Sequence, residues 1–433
     1  MGADGLPQVP LRDVVRRVIG GGTPPRSVAA YWAGDIPWAS VKDFSDEMTD
    51  LTDTVEHISS SGLHASSSNL IPADIPLVCT RMAVGRRAMT SRDTAINQDV
   101  KALEPIPTII EARYLLHCMK NLQSRLDSIG VGSTVKGVSL KDLLNQAILS
   151  LPMPEQRRIA EILDTVDEAI RRTEQVIAKL QQMKQGLLHD LLTRGIDENG
   201  ELRPPPEEAP HLYKDSPLGL IPRNWDYSEL RRTGTWLSGG TPPKNEPRFW
   251  GGSIPWVSPK DMKCFLMEDT EDHVTTSGAS VGSQRVSPGA VLIVVRGMIL
   301  AHTFPVCITL REMTFNQDIK ALVPRQEISG LFLAYWMVCN KDSLLGIVTE
   351  ATHGTKRIDM DDLGDLLIAL PPKNEVQNIL NRLQALDRDL LANNNYLLKL
   401  RSVKSGLMHD LLTGRIRVPT DSVCVEVNPT EVA

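Results

Sequence analysis

Pro154-Glu-Gln-Arg-Arg-Ile-Ala-Glu-Ile-Leu-Asp-Thr-Val-Asp-Glu-Ala-Ile-Arg-Arg-Thr-Glu-Gln-Val-Ile-Ala-Lys-Leu-Gln-Gln-Met-Lys-Gln-Gly-Leu-Leu-His-Asp-Leu-Leu-Thr-Arg194 decides how this chain is read. Apolar side chains recur along it at Ile159, Leu163, Val166, Ile170, Ile177, Leu180, Leu187 and Leu191, with Leu192 beside the last. Steps of three and four put them on one stripe of a helix, the pattern of a coiled-coil seam. At about 1.5 Å per residue the segment makes a rod of roughly 60 Å, far longer than a usual globular helix. The stripe returns at Leu383, Leu386, Leu390, Leu397, Leu400, Leu407 and Leu411, with Leu412 beside it. Its polar breaks return too: Thr173 matches Asn393, and Lys184 matches Lys404. The copies end alike, Gly186-Leu-Leu-His-Asp-Leu-Leu-Thr193 against Gly406-Leu-Met-His-Asp-Leu-Leu-Thr413. One such helix would be an ordinary bundle element. Two at one register, each closing a similar half-chain, predict a shared antiparallel coiled coil.

The 433 residues leave room for two or three domains with real cores. A composition of 41% hydrophobic and 23% charged residues is that of an ordinary globular protein. Six cysteines, at 79, 118, 264, 307, 339 and 424, form no CxxC pair, so neither a disulfide framework nor a zinc site is indicated. Reduced thiols in a cytoplasm fit best. Nothing reads as a signal peptide or membrane span; the apolar run Ala290–Val295 is short and stops at Arg296. The net charge of −6 argues against a basic coat for nonspecific nucleic-acid binding. It leaves room for a local basic cleft, because affinity follows local potential.

Outward from the helices the chain repeats itself. Gly20-Gly-Gly-Thr-Pro-Pro25 and Tyr31-Trp-Ala-Gly-Asp-Ile-Pro-Trp38 return as Gly239-Gly-Thr-Pro-Pro243 and Phe249-Trp-Gly-Gly-Ser-Ile-Pro-Trp256. A repeat of this length has to be recognised before any local motif is interpreted. The Gly-Gly-Thr-Pro-Pro turn lacks the Gly-Lys-Ser/Thr ending of a phosphate loop, and its prolines favour an extended structural turn. Trp38 and Trp256, each after Ile-Pro, read as core anchors in preference to base-stacking platforms. Strands over 70–81 and 286–296 each end in arginine, and both halves converge on Asn97-Gln-Asp99 and Asn316-Gln-Asp318. Helical stretches follow over 112–128 and 330–345, then the turns 132–136 and 354–357.

The fold expected is therefore α+β: two pseudo-symmetric β-rich globular domains joined by two long antiparallel coiled-coil helices. The first domain covers 1–150, with residues 1–9 loose, and the first helix covers 151–194. A Pro-rich connector, 195–220, is exposed and semi-rigid. The second domain covers 221–370, the second helix 371–416, and a disordered tail 417–433. No nucleotide-binding or S-adenosylmethionine glycine motif, amino-methyltransferase segment, metal-ligand cluster or helical His-Glu-x-x-His is found. His189 and His409 beside acidic residues could suggest a catalytic dyad, but on the last turns of two rods they read as packing or partner contacts. No catalytic residue and no metal ligand is assigned; the chain reads as a binding subunit.

The candidates for DNA contact are Arg81, Arg86, Arg87, Arg92 and Lys136 in the first half, and Arg296, His302, Arg311, Lys356 and Arg357 in the second. Arginine's planar fork can bond guanine O6 and N7 together, and a lysine turn can meet a phosphate. For a single arginine the plainer reading is a solvated surface charge. The first cluster has no charge-for-charge counterpart in the second, so the two halves are expected to present different surfaces. Leu380, Met408 and Leu412 lie off the main seam. They are expected to meet a further helix, so Leu192 and Leu412 are placed at a partner contact.

Taken together, the doubled Gly-Gly-Thr-Pro-Pro…Ile-Pro-Trp blocks, the Leu151-Pro…Glu-Gln-Arg-Arg-Ile159 start and the Gly-Leu-(Leu/Met)-His-Asp-Leu-Leu-Thr ends resemble the specificity subunit of type I restriction–modification enzymes. The resemblance runs over roughly residues 10–417. It implies two target-recognition domains, each reading one half of a split sequence in double-stranded DNA. The helices would set the unread gap and hold two modification subunits, with restriction subunits completing the complex. S-adenosylmethionine, ATP and Mg would sit on those partners and none on this chain. Two departures stand out. The Ile221-Pro-Arg-Asn-Trp225 lead into the second domain has no equivalent before Leu11, which suggests a trimmed first domain. The second helix begins Pro372-Lys-Asn-Glu375 in place of the fuller Pro154-Glu-Gln-Arg-Arg158. The other readings are the recognition part of a fused methyltransferase–endonuclease, and a coiled-coil scaffold without a DNA role.

Overall fold

A computed structural model describes residues 6–131, 136–350 and 354–419. The expectations for the turn residues Gly132–Val135, for the tail from 420 onward and for residues 1–5 fall outside these. The chain divides into two compact units, residues 1–175 with 394–433, and residues 176–393. Each unit thus holds one half of each long helix, which runs Met153–Thr193 in the first case and Lys373–Leu412 in the second. Both spans lie within a few residues of the stretches read from the heptad stripe. Pro152 and the pair Pro371-Pro372 precede them, where a missing N–H does no harm.

In the first unit a five-stranded sheet is ordered Val15–Ile19, Val100–Pro105, Pro76–Cys79, Arg87–Thr90, Asp50–Leu51. A four-stranded sheet is ordered His57–Ile58, Ile36–Ala39, Thr94–Ile96, Asn69–Ile71. The second unit repeats both in the same order: Gly234–Ser238, Ile319–Pro324, Val291–Val294, Val306–Thr309, Leu266–Met267, and His273–Val274, Trp250–Val257, Met313–Phe315, Arg285–Val286. Helices Ala112–Ile129 and Gly330–Cys339 pack on the five-stranded sheets. A short strand does precede Leu11, but it matches the segment that follows Ile221–Trp225, so it supplies no counterpart of that lead. Gln8–Pro10 pairs antiparallel with Ala147–Leu149, as Asp226–Glu229 pairs with Leu367–Leu370.

Ile159, Ala160 and Leu163 share one core with Met408, Leu411 and Leu412 and with Leu115, Met119 and Leu149 of the first domain. Leu188, Leu191 and Leu192 share another with Ile379, Leu380 and Leu383 and with Trp225, Phe332 and Ile368 of the second. The start of one helix meets the end of the other inside each unit, so the pairing is antiparallel as expected. This packing overturns one expectation. Leu192 and Leu412 are each 5% exposed, and Leu380 and Met408 are 5% and 8% exposed, so none is open to a partner helix. Positions off the seam face the recognition domain of the same unit, and each buried leucine there contributes about 1.5–3 kcal/mol. The lysine breaks of the seam are paired across it, Lys404 Nζ lying 2.5 Å from Asp167 and Lys184 meeting Asp387, whereas Thr173 and Asn393 bond back to Ala169 O and Asp389 O within their own helices.

Each helix start is also held by the segment that follows the other helix. The buried Glu155 accepts Arg417 Nε at 2.7 Å and Val418 N at 3.1 Å. Glu375 accepts Ile196 N at 3.0 Å, Trp225 Nε1 at 3.0 Å and Arg203 Nη2 at 2.9 Å. The stretch expected as an exposed connector is therefore folded into the second unit, with Ile196 and Tyr213 buried and Tyr213–Ser216 paired to Gly219–Pro222. Gln156 clamps Ile109 O and Leu151 O at 2.9 and 2.8 Å; Val376 occupies its place in the second helix, so that clamp belongs to the first copy.

Candidate nucleic-acid interface

The doubled glycine and tryptophan blocks build the domains and leave reading to other residues. Trp38 Nε1 donates to Gly22 O at 3.0 Å and Trp256 Nε1 to Gly240 O at 2.9 Å. Trp32 stands edge-on to Trp38 with centroids 5.0 Å apart, and Trp250 to Trp256 at 5.1 Å. A Cβ at Gly21 would lie 1.9 Å from Ile96 O, and one at Gly239 2.1 Å from Asn316 O. Glycine is therefore required where the turn crosses the strand, and the Gly-Gly-Thr-Pro-Pro turn is structural.

The first arginine cluster comes apart. Arg87 is 1% exposed, its Nη1 donates to Asp46 O at 2.9 Å and its Nε has no partner. Burial pulls this guanidinium down to about 10, against the pull of Asp167, Glu47 and Asp46. Its place in the strand Arg87–Thr90 faces the core, so it cannot meet DNA. Arg86 is tied by Nε to Asp46 Oδ1 at 3.0 Å and by Nη1 to Phe44 O at 3.1 Å. That bond holds the Asp46 carboxyl below its usual range, helped by Gln123. Both arginines anchor the segment 44–47, a role that removes them from base reading. Aligning the repeats could have revealed it, since Arg87-Ala-Met-Thr90 corresponds to the apolar strand Val306-Cys-Ile-Thr309.

The other candidates fall into matched places. Thr80 N bonds Asp99 O and Met82 N bonds Lys136 O, both at 2.8 Å; Val295 N bonds Asp318 O at 2.8 Å and Gly297 N bonds Lys356 O at 2.9 Å. Isolated bridges join Arg81 to Gly137 and Arg296 to Arg357. Each domain thus folds the end of a central strand against the turn that precedes its next helix, making a corner. One corner carries Arg81 and Lys136, the other Arg296, Lys356 and Arg357. Arg92 and Arg311 also match, each two residues past a buried threonine that closes the same turn, Thr90 or Thr309. So Arg81 and Arg92 do have counterparts; Arg86 and Arg87 correspond to Pro305 and Val306. The expectation of no charge-for-charge match holds only for that inner pair.

The corners differ in how free their charges are. Arg81 lies 3.4 Å from Asp99, Lys136 2.9 Å from Asp127, and Arg92 2.6 Å from Asp53. Lys356 pairs with Glu350 at 2.8 Å, and Arg311 Nη2 bonds Ser253 O at 3.1 Å. Arg296, His302 and Arg357 are exposed, and among the described residues none has a side-chain partner. His302 lies in a loop lengthened by four residues: Val294 N reaches Pro305 O across 11 positions, where Cys79 N reaches Arg86 O across 7. An exposed methionine, Met82 or Met298, stands at each corner and was not singled out from the sequence. Neither was a pair repeated in both domains, His57 to Asp53 at 2.9 Å and His273 to Asp269 at 2.8 Å.

His117, Asp164 and Asp167 lie close enough to hold a metal ion, with ligand atoms within 4.8 Å of one another. Asp167 already faces Lys404 and Asp164 faces Arg113 at 3.9 Å, so the charge an ion would bring is already supplied. His189 and His409 are exposed; Asp190 and Asp410 beside them pair with Arg194 at 2.9 Å and Arg415 at 3.7 Å. Among the described residues no helix is long and apolar enough to cross a membrane.

A family model described as the type I restriction modification DNA specificity domain matches residues 6–182 and 222–400. The EcoR124I/EcoR124II specificity subunit of Escherichia coli is 34% identical over 180 residues, 41% of this chain and 44% of that protein. The MjaIX specificity subunit of Methanocaldococcus jannaschii is 23% identical over 419 residues, 93% of this chain and 92% of that protein. The chain thus spans less than half of the bacterial relative and nearly all of the archaeal one. The crystal structure of a type I restriction-modification S subunit from M. genitalium has the same fold, with a TM-score of 0.61 at 14% identity, over 94% of this chain and 97% of that one.

Proposed function

Because the chain belongs to the type I restriction modification DNA specificity family and is a non-catalytic, sequence-specific DNA recognition subunit, we propose that each of its two domains reads one half of a bipartite, asymmetric site. The observation that carries this reading is the corner built once in each unit, with Arg296 and Arg357 of the second exposed and, among the described residues, without a side-chain partner. Free guanidinium groups on a hydrogen-bonded strand end are positioned donors for guanine edges and phosphates. The net charge of −6 is no obstacle, because the attraction is local.

The helices shared by the units set the unread gap and dock two modification subunits, and restriction subunits complete the complex. Methyl transfer, translocation and cleavage belong to those partners, which bind S-adenosylmethionine, ATP and Mg. Work on chromosomal DNA places the complex in the cytoplasm. The test compares methylomes of the source cell with and without this gene. A split motif that disappears with the gene and returns with a plasmid copy is expected. An unchanged methylome would favour a scaffold without a DNA role. Methyl transfer by the purified chain alone would favour a fused enzyme.

A further inference from the structure

The corners carry a second kind of side chain beside their cations. Met82 is 63% exposed and Met298 62% exposed, so neither serves a core. Met82 moreover sits at φ +63°, a left-handed conformation that a residue with a Cβ adopts only under strain. The hydrogen-bond register makes Gly297 its counterpart, at φ +137°, and the second domain shifts its methionine one residue along to Met298. Glycine is thus accepted at this place in the fold, yet the first domain keeps a large apolar side chain there that packs little. Each methionine lies beside a corner arginine, Arg81 or Arg296.

We propose that Met82 and Met298 are specificity-determining residues, each contacting the 5-methyl group of one thymine in the major groove. The major-groove edge of an A·T pair offers that methyl for apolar contact, and an unbranched thioether adapts to it. The neighbouring arginines hold the backbone or a flanking guanine. This deepens the reading of the corners as the DNA-facing surface and rests on it.

The experiment uses the full chain purified with its modification subunit and a duplex carrying the mapped site. Each thymine is replaced in turn by deoxyuridine, which removes only the methyl. Wild-type complex should lose about fourfold in affinity at one thymine of each half-site, the effect of one buried methyl group. Met82→Gly should abolish that sensitivity in one half-site only, and Met298→Ala in the other only. Relief of the strained φ should leave the melting temperature of Met82→Gly unchanged or raised. Variants that discriminate thymine from deoxyuridine as the wild type does would overturn the proposal. So would half-sites with no A·T pair, or a loss of discrimination that comes only with a lower melting temperature. If the wild-type complex does not distinguish the mapped duplex from random DNA, the reading of the corners fails first, and the methionine proposal with it.

Discussion

Arg87 and Arg357 show what separates a structural arginine from one free to read DNA. Arg87 is enclosed by Asp46, Glu47 and Asp167, and removing it leaves those carboxylates short of a counter-charge. Arg87→Ala should therefore destabilise the first domain, on the order of 3 kcal/mol by analogy with broken buried pairs. Arg87→Met, which fills the same space, should lose clearly less; thermal melts of the two variants check this. A second residue-scale expectation concerns acid. The Arg417 guanidinium, with burial opposing it, holds Glu155 below the usual carboxylate range. A group lowered on folding contributes stability above its unfolded pKa, about 4.3, and loses it as pH falls through the folded value. Glu155→Gln should flatten the acid limb of the stability curve below about pH 4.5. Equal acid sensitivity in wild type and variant would contradict the role given to this pair.

At the scale of elements, most of the fold was legible. The stripe from Ile159 to Leu191 and its copy located both helices, and the tryptophan blocks located both domains. The stripe alone could not say what covers its flanks. Leu192 and Leu412 look unpartnered in a two-helix coil, and only tertiary packing shows that the domains cover them. Leu192→Glu or Leu412→Glu should therefore unfold one unit, at more than about 4 kcal/mol for an unpaired buried charge. The change would be read as lost near-UV signal and lowered melting of the purified chain. Folded mutant protein that merely fails to bind its modification subunit would restore the docking reading. The candidate site was less legible for a related reason. Arginine is written alike whether it faces solvent or a core, and Arg87 is enclosed by carboxylates some 40 to 80 positions away in the chain.

For the whole molecule, the duplication itself is the functional argument. Two domains share one sheet order and one corner, yet differ in the four-residue extension around His302 and in the corner charges, Arg81 and Lys136 lying against Asp99 and Asp127 where Arg296 and Arg357 stand exposed. A common scaffold with two differing faces suits a site whose halves differ. Independence of the halves is thus the central claim, and methylome mapping of one variant tests it most directly. In Arg296→Ala with Arg357→Ala, both exposed in the second unit and without a side-chain partner among the described residues, one half of the methylated motif should become degenerate or be lost. Each lost base contact should be worth about 1–3 kcal/mol. The other half of the motif and the gap should keep their wild-type sequence and length wherever methylation survives. Both halves relaxing together, or the full motif methylated at an unchanged rate, would contradict the account.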